Sequence, residues 1–435
     1  MAGYDQLTPA TGTNNRQQAI YSAGLAGRRP AIPVEPGALA AAAGRRMARV
    51  AYAYIAGGAS AETTVAANRA AFDAWRIVPR MLTDISCRDT GVSLFGRRYP
   101  HPFMLAPIGA LELAHRDADV GAARAAAAAG IPAILSSQAS RPMEACAAAM
   151  DALAPGAPRW FQLYWPKSDA LAESLIGRAE ACGCEALVVT LDTPLLGWRP
   201  RDLDLGHLPF LRGQGLAQYT HDPVFQAMLT ESSAETDRPP ITPKLLANVL
   251  ASARHYPGSA WRALRSGRGL AAVRQFVATY SRPDLRWSDL AWLREHTRLP
   301  ILLKGVLSAD DARLAAQAGM DGLIVSNHGG RQVDGAIASL DALIAIRGAA
   351  PDLTLVLDSG VRTGADIVKA LALGADAVAI GRPYAYALAL AGTGGVAEWI
   401  ANTAADFELT MALSGARSVD DIRSGTVRLQ TPGHA

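Results

Sequence analysis

The stretch Leu323-Ile-Val-Ser-Asn-His-Gly-Gly-Arg-Gln-Val-Asp334 changes character abruptly after three apolar residues. Residues 323–325 have the composition of a buried strand, and a polar cluster containing His328 and Arg331 follows at once. Such a cluster is costly inside a sheet but belongs where a parallel strand ends. A histidine takes up a proton near neutral pH, and an arginine holds a carboxylate by two parallel hydrogen bonds. For this stretch alone, the alternative is a strand-end loop with a solvated histidine and arginine.

Apolar runs of strand length recur on both sides of this stretch. Between most of them lie Ala-rich amphipathic segments that end in glycines, which suit the left-handed position that closes a helix: Gly130, Gly183, Gly319 and Gly374. Strands alternating with helices in this way favour a (β/α)₈ barrel, a TIM barrel of the α/β class, over an open doubly wound sheet. No Gly-x-Gly-x-x-Gly follows the first strand, which weakens the dinucleotide-binding alternative. The eight predicted strands are residues 103–106, 133–135, 160–164, 186–191, 301–303, 322–325, 354–357 and 377–380.

The predicted barrel forms a single domain, residues 37–423, which begins with an N-terminal helical segment. A flexible leader, 1–36, is predicted before it and a C-terminal tail, 424–435, after it. The interval 198–287 after the fourth strand is a long insertion with predicted helices near 243–254 and 268–280. Because strand-to-helix loops emerge at the catalytic face of a barrel, we favour a lid over the active site, with subunit contacts as the alternative.

Composition excludes several classes of protein. Half of the 435 residues are hydrophobic and 19% are charged, as in a globular chain with a large core. A formal net charge of +3 without a dense basic run does not indicate a nucleic-acid partner. The four cysteines have neither disulfide-framework nor zinc-site spacing, so no metal site is predicted. Without a secretory signal or an apolar run of membrane-spanning length, a cytoplasmic location is the expectation.

The predicted strand ends carry one polar constellation. Eight polar strand ends in register are hard to explain as solvated loop residues, so we predict a functional site at this end of the barrel. Its candidate residues, from the first strand end to the eighth, are Ala106, Pro107, Ile108 and Gly109; Ser136 and Gln138; Gln162 and Tyr164; Thr190, Asp192 and Arg199; Lys304; Ser326 and His328; Asp358, Gly360 and Arg362; and Gly381 and Arg382.

The chemistry of these strand ends predicts a bound flavin. Glycines combined with Arg362 and Arg382 suit a phosphate, which barrels commonly bind at the seventh and eighth strand ends. Lys304 projects from a buried strand and needs a negative partner, such as an electron-rich ring. The amide and hydroxyl side chains of the second, third and fourth strand ends suit the edge of a flat heterocycle. A phosphorylated, redox-active ring meets all three requirements, so FMN is the predicted cofactor.

These residues resemble the FMN-dependent L-2-hydroxy acid oxidising enzymes, the group that contains glycolate oxidase, lactate oxidase and lactate 2-monooxygenase. The resemblance covers about residues 37–423, and its most specific motif is Ser326-Asn-His-Gly-Gly-Arg-Gln332. Supporting motifs are Phe161-Gln-Leu-Tyr164, Leu302-Leu-Lys-Gly305, Asp358-Ser-Gly-Val-Arg362 and Ile380-Gly-Arg-Pro383. The run Leu191-Asp-Thr-Pro-Leu-Leu-Gly-Trp-Arg-Pro-Arg-Asp202 looks most like the lactate 2-monooxygenase branch, which also has an enlarged fourth loop.

The resemblance implies catalytic and substrate-binding roles. His328 would be the base that takes the proton of the substrate's hydroxyl or, in a carbanion scheme, of its α-carbon. Asp192 would pair with His328 and stabilise the imidazolium. The side chains that would hold the substrate's carboxylate and oxygens are Arg331, Arg199, Tyr54 and Tyr164.

The resemblance also implies how FMN would be bound. Lys304 would stabilise negative charge at the N1–C2=O edge of the ring, and Asp358 would meet the ribityl chain. The phosphate would be held by Gly360, Arg362, Gly381 and Arg382. The residues that would line the ring are Ala106, Pro107, Ile108, Ser136, Gln162, Thr190 and Ser326.

The sequence leaves open which acid is the substrate and which product the reaction with dioxygen gives. Gln138 stands where the family commonly has an apolar or aromatic residue, so the substrate's side chain is polar or water fills the space. Oxidation by dioxygen would give a 2-keto acid with peroxide, or, as in lactate 2-monooxygenase, a decarboxylated acid. The alternatives are a tailoring oxidase for a larger or polar hydroxy or amino acid and, in another class, a non-catalytic flavin-binding barrel. The resemblance also implies a homo-oligomer, a tetramer or larger.

Overall fold

The computed structural model describes residues 13–231 and 242–431, and its centre is a closed barrel of parallel strands. Around the barrel the strand order is β10-β11-β4-β5-β6-β7-β8-β9, so each strand pairs with its neighbour in the chain and the last closes on the first. All eight predicted barrel strands are confirmed. The bounds of these strands are β4 Phe103–Leu105, β5 Ala133–Ser136, β6 Arg159–Leu163, β7 Leu187–Thr190, β8 Ile301–Val306, β9 Gly322–Val325, β10 Thr354–Asp358 and β11 Ala377–Ile380.

Helices cover the outside of the barrel. Strand residues that point outward pack under the helices in the main hydrophobic core, and the glycines predicted to close helices do have positive φ. The outer helices are α5 Ala118–Ala129, α6 Met143–Asp151, α7 Asp169–Ala181, α14 Leu290–His296, α15 Ala309–Gln317, α16 Ser339–Ala349, α17 Gly364–Ala372 and α18 Arg382–Leu413. None of the helices within the described ranges combines the length and apolarity of a membrane-spanning segment.

The barrel interior is filled and its lower end is closed. Alternate strand residues, among them Met104, Ile134 and Leu302, form a second core cluster inside the barrel. A hairpin of β2 Val92–Leu94 and β3 Arg97–Tyr99 belongs to the same cluster and closes the amino-terminal ends of the strands. Since the interior is apolar and this end is plugged, polar side chains gather at the carboxyl ends.

The ends of the chain pack against the barrel. The amino-terminal helices are α1 Thr13–Leu25, α2 Pro36–Arg46, α3 Arg49–Ala56 and α4 Thr63–Asp73. Helix α1 lies within the predicted leader, and its Arg16 forms a 3.1 Å ion pair with Glu398 of α18; residues 1–12 lie outside the described residues. The carboxyl-terminal elements are α19 Val419–Arg423 and β12 Arg428–Gln430, which pairs antiparallel with β1 Arg76–Val78.

The insertion after the fourth strand is helical and lies over the barrel's carboxyl-terminal face. Its helices are α8 Pro200–Asp204, α9 Ala217–Thr220, α10 Pro223–Glu231, α11 Pro243–His255, α12 Ala260–Ser266 and α13 Arg268–Thr279. The predicted helices near 243–254 and 268–280 are thus confirmed. The aromatic ring of Phe210 lies 5.6 Å from that of Phe276 in α13 and 6.1 Å from that of Tyr54 in α3, measured between centroids. These contacts join the insertion to the amino-terminal helices above the strand ends.

Candidate active site

An open cavity lies at the carboxyl ends of the strands, under the insertion. Its volume is about 1380 Å³, including its solvent-filled mouth. Every site residue predicted from the sequence lines this cavity except Asp192 and Ser326. Those two form hydrogen bonds to residues that do line it, His328 and Lys304. The barrel therefore brings the predicted constellation together around one space.

A histidine–carboxylate pair stands at one side of the cavity. The Nδ1 of His328 lies 2.8 Å from Oδ1 of Asp192, which also accepts a 2.9 Å hydrogen bond from the Thr193 hydroxyl. A carboxylate partner at Nδ1 places the proton there, so Nε2 carries the free lone pair. Within the described residues Nε2 has no hydrogen-bond partner. The imidazole therefore presents a basic nitrogen to the cavity.

Electrostatics keep this pair as a neutral imidazole and an ionised carboxylate. Burial lowers the pKa of His328, an effect that the Asp192 carboxylate only partly offsets. Burial alone would raise the pKa of Asp192, but the interaction with His328, the positive charge of Lys304 and the hydrogen bonds from His328 and Thr193 bring it down to about 2. At neutral pH the histidine is thus ready to accept a proton, and the carboxylate is ready to stabilise the resulting charge.

The loop after β9 holds His328 in an unusual backbone conformation. Its φ is 58°, and those of Gly329 and Gly330 are 66° and 75°, so three successive residues are left-handed. A side chain at Gly330 would also approach the backbone nitrogen of Val65 in α4 to 2.7 Å. The His-Gly-Gly sequence is therefore required to turn the chain out of the strand while the imidazole faces the cavity.

Two arginines near the histidine lack a carboxylate partner. The guanidinium of Arg331 donates to the carbonyls of Tyr54 and Gly57 and lies 5.0 Å from the centre of the Tyr54 ring. Arg199 donates to the Arg331 carbonyl at 3.3 Å and to the side chain of Gln332 at 3.0 Å. Neither arginine makes an ion pair with any residue in the described ranges. Burial and the charge of Arg199 lower the pKa of Arg331 to about 9, so a bound anion is needed to balance this end of the cavity.

Two further arginines without an ion-pair partner line the same cavity. Arg382 is fixed by hydrogen bonds to the carbonyls of Ile55, Gly57 and Gly329, at 3.1, 2.9 and 2.9 Å. Burial and the nearby charge of Arg382 lower the pKa of Arg362 to about 10. Among the described residues no carboxylate lies within ion-pair distance of either guanidinium. Beside Gly360 and Gly381, this pair fits a phosphate group.

Lys304 has a partner that the sequence did not identify. Its Nζ donates to the Ser326 hydroxyl at 2.9 Å and lies 3.2 Å from the carboxylate of Asp358. Ser326 in turn donates to Asp358 at 2.6 Å. Although burial lowers the pKa of Lys304, the Asp358 and Asp192 carboxylates outweigh it and raise the pKa overall. The negative partner required by this buried cation is thus already present in the protein, and the ammonium is charged.

Two unsatisfied donors in the same cavity fit the flavin ring. Gln162 Nε2 and Thr190 Oγ1 are buried and, within the described part of the chain, have no hydrogen-bond partner. Leaving such groups unsatisfied costs about 1–3 kcal/mol each, so a ligand that accepts their hydrogen bonds is stabilised here. Two arginines that suit a phosphate, the unsatisfied donors and the Lys304 ammonium all line this one cavity. These residues therefore fit FMN.

The outer wall of the cavity comes from the insertion, and sequence reasoning did not identify its residues individually. They are Leu208, Phe210, Leu211, Phe276, Val277 and Tyr280. The aromatic content of the insertion was the available signal. Gln138 faces the same space; it is 7% exposed, and its side-chain amide makes no hydrogen bond to other described residues. The cavity thus offers an apolar compartment with one free amide.

These features together define the class of protein: a flavin-dependent oxidoreductase acting on a small acid. They are the barrel, the residues that fit FMN, and the histidine base beside arginines that lack a carboxylate partner. The chain belongs to the FMN-dependent dehydrogenase family, whose model matches residues 43–429. FMN is therefore its cofactor, and the reaction is FMN-dependent oxidation of a 2-hydroxy acid. The predicted family resemblance is confirmed.

Named relatives span several activities. The FMN-dependent alpha-hydroxy acid dehydrogenase qulF of Penicillium citrinum is 40% identical over 428 residues, 98% of each chain. L-lactate oxidase of Lysinibacillus sphaericus is 41% identical over 377 residues, covering 86% of this chain and 88% of its own. A crystal structure of mandelate oxidase with (S)-4-hydroxymandelic acid superposes with a TM-score of 0.74 at 32% identity, over 92% of this chain and 99% of that one.

Proposed function

We propose that this protein oxidises a monocarboxylic L-2-hydroxy acid with dioxygen as the electron acceptor. The observation that carries the proposal is the free Nε2 of His328 beside two guanidinium groups, Arg199 and Arg331, that lack a carboxylate partner in the described structure. A carboxylate held by the arginines places the neighbouring carbon, with its hydroxyl, next to the base.

Each polar group then has one task. The substrate loses two electrons and two protons, and bound FMN supplies the electron acceptor for this step. His328 takes the hydroxyl proton at Nε2, or the α-proton in a carbanion scheme, and Asp192 stabilises the imidazolium. Tyr54 and Tyr164 stay protonated, because burial raises the pKa of both phenols, and donate to the substrate's oxygens.

The charges around the substrate end favour a monocarboxylate. Two guanidiniums are available there, and the partly buried Asp202 lies close enough to Arg331 and Arg199 to offset part of their charge. The side chains of the outer wall are apolar, apart from the Tyr280 hydroxyl and the neutral amide of Gln138. A second carboxylate on the substrate would be desolvated there without a cation, which is unfavourable.

The insertion that lies over the cavity supports an outcome like that of lactate 2-monooxygenase. In that outcome L-lactate gives acetate, carbon dioxide and water, because peroxide attacks the keto acid before the keto acid leaves. The wall formed by Phe210 and Phe276 stands between the substrate end and solvent and would retain the keto acid. A simple oxidase, in contrast, releases the keto acid together with hydrogen peroxide.

A tailoring oxidase for a larger or polar 2-hydroxy or amino acid is the second candidate. The unpartnered amide of Gln138 favours it, because a polar group on the substrate would supply the missing hydrogen bond. Gly109 lies next to Gln138 and adds no side chain to this compartment.

An anaerobic titration of the bound flavin tests the proposal. The panel comprises L-lactate, L-mandelate, L-2-hydroxyglutaramate and L-malate, and the absorbance of oxidised flavin is followed. Bleaching by a monocarboxylate but not by L-malate supports a site built for a single carboxylate. Bleaching by L-2-hydroxyglutaramate alone favours the tailoring oxidase. Analysis of acetate against pyruvate in air then separates monooxygenase from oxidase. If no acid bleaches the flavin, the non-catalytic flavin-binding barrel is the better description.

A further inference from the structure

A second cavity lies behind the histidine–carboxylate pair. Its volume is about 1110 Å³, including its mouth, and it runs between the ends of β7 and β8 and the segment 281–290. Asp192 lines this second cavity and not the first, whereas His328 lines the first and not the second. The hydrogen-bonded pair therefore spans the partition between the two spaces.

The partition is one side chain thick. Tyr164, Thr190 and Thr193 line both cavities. Thr190 lies directly beside Lys304 in the barrel register, and its hydroxyl is one of the two unsatisfied donors that fit the flavin ring. A molecule in the second cavity is thus separated from the flavin-binding space only by the side chains of Tyr164, Thr190 and Thr193.

Hydrophobic side chains in the wall of the second cavity offer contacts to a small apolar molecule. Its apolar lining consists of Trp165, Leu191, Leu285, Trp287, Leu290 and Val306. Four charged side chains, Asp192, Arg282, Arg286 and Asp311, also line it. Of these, Arg282 is engaged by Asp169 at 2.6 Å and lies 6.0 Å from the centre of the Trp165 ring. Apolar cavities of protein interiors take up small apolar species such as xenon, and dioxygen is of the same kind.

We propose that the second cavity is the site through which dioxygen reaches the flavin. This inference rests on the proposed function only for the identity of the acceptor. Bound FMN, once reduced, would supply the two electrons that, with two protons, convert dioxygen to hydrogen peroxide, and it would be left oxidised. The first cavity leads past Arg199 and Arg331, where the acid or keto acid is bound, so a second entrance lets dioxygen arrive while the front is occupied.

The test uses the holoenzyme with its flavin reduced by light and EDTA, so that no hydroxy acid is needed. Leu285 is half-buried and lines the second cavity, and Leu285→Trp would narrow it. Leu307 is a half-buried leucine on the same core that does not line the cavity, so Leu307→Trp is the matched control. We expect the rate of reoxidation by dioxygen to fall by about tenfold or more in Leu285→Trp, a barrier change of roughly 1.4 kcal/mol, and to stay unchanged in Leu307→Trp.

A second readout does not involve the flavin. Crystals of the unaltered protein under xenon pressure are expected to show xenon in the second cavity, and crystals of Leu285→Trp to lack it. Reoxidation of Leu285→Trp at the unaltered rate, or no xenon in that cavity, would overturn the proposal. Failure of every hydroxy acid to bleach the flavin would refute the proposed function, whereas the photoreduced enzyme still decides the dioxygen route.

Discussion

At the scale of single residues, the imidazole of His328 is prepared for proton transfer by its surroundings. Burial favours its neutral form, and the ionised Asp192 at Nδ1 directs the free lone pair towards the cavity. Because its pKa lies below the ordinary value, the base stays unprotonated as the pH falls to the usual histidine range. We therefore expect kcat/KM to hold its plateau down to below about pH 6.5 and to decline only at lower pH.

The first prediction concerns this base. His328→Ala is expected to slow anaerobic flavin reduction by roughly 10²–10⁴-fold, the usual contribution of a general base, while the protein keeps its bound FMN. Stopped-flow absorbance measures the rate. His296→Ala, a partly buried histidine of α14 that stacks on Trp292 outside the cavity, is the control and is expected to leave the rate unchanged. If the flavin of His328→Ala were reduced at the same rate as that of the unaltered protein, His328 would not be the catalytic base.

The second prediction follows from the pKa of Arg331. Its folded-state value of about 9 is below that of a free guanidinium, so the group is charged below that pH and neutral above it. The affinity for a carboxylate ligand should be full near neutrality and fall as the pH rises through about 9, because the charged guanidinium binds the anion more tightly than the neutral one. Titration of the flavin spectrum with pyruvate between pH 7 and 10.5 measures this, with pyruvamide as a neutral control ligand. A pyruvate affinity that is the same across this range would contradict the assignment.

Side-chain chemistry was predictable from the sequence, but side-chain pairing was only partly so. The position of His328 after an apolar run marked it as a strand-end residue, and the resemblance supplied Asp192 as its partner. The ion pair between Lys304 and Asp358 was not predicted, because it joins residues more than fifty positions apart and depends on the order of strands around the barrel. Thr193, which bonds to Asp192, carries no signal of its own in the sequence.

At the scale of elements, the insertion depends on a close contact between two of its helices. Gly269 near the start of α13 is buried, and a Cβ there would lie 2.8 Å from the backbone carbon and oxygen of Ser252 in α11. These are backbone atoms and cannot rotate away. The predicted lid therefore relies on a glycine for the approach of α13 to α11.

The third prediction tests this contact. Gly269→Ala is expected to lower the free energy of unfolding by about 1–3 kcal/mol, as overpacking does, and to raise KM because the outer wall shifts. Gly348→Ala in α16 is the matched control: this glycine is also helical, and a Cβ would meet nothing within 4 Å. The control should be neutral or stabilising by about 0.4–1 kcal/mol. Equal melting curves for the two variants would show that the helices tolerate the added methyl group.

Elements with a strong local pattern were predictable, and elements defined by distant partners were not. The barrel strands and helices α11 and α13 follow apolar runs or amphipathic periodicity and were found from the sequence. The pairing of β1 with β12 was not predicted, because it joins a strand after α4 to the predicted C-terminal tail, more than three hundred residues away. Helix α1 falls within a segment predicted to be a flexible leader, and the Arg16–Glu398 ion pair that helps to hold it also lies far apart in the sequence.

At the scale of the whole molecule, closing the barrel gathers like charges before any ligand is bound. Arg362 and Arg382 follow adjacent strands, β10 and β11, and both are half-buried without a described carboxylate partner. The charge of Arg382 contributes to the lowered pKa of Arg362, which shows that this arrangement is unfavourable in the protein alone. A phosphate dianion would remove the repulsion, so the cofactor contributes to the stability of the fold as well as to the reaction.

The fourth prediction separates these two contributions. Arg362→Gln removes one of the two repelling charges, so the FMN-free variant should melt at the same temperature as the FMN-free unaltered protein or higher. With FMN the order should reverse, because losing one charge-assisted hydrogen bond to phosphate costs about 1.5–3 kcal/mol, roughly a 10–100-fold weaker affinity.

FMN at a hundredfold excess over its Kd stabilises by about 2.7 kcal/mol, which calorimetry resolves easily. Calorimetry of both forms, with FMN fluorescence for the affinity, measures the reversal. A variant less stable than the unaltered protein in the absence of FMN would show that Arg362 holds the barrel together rather than waiting for the phosphate.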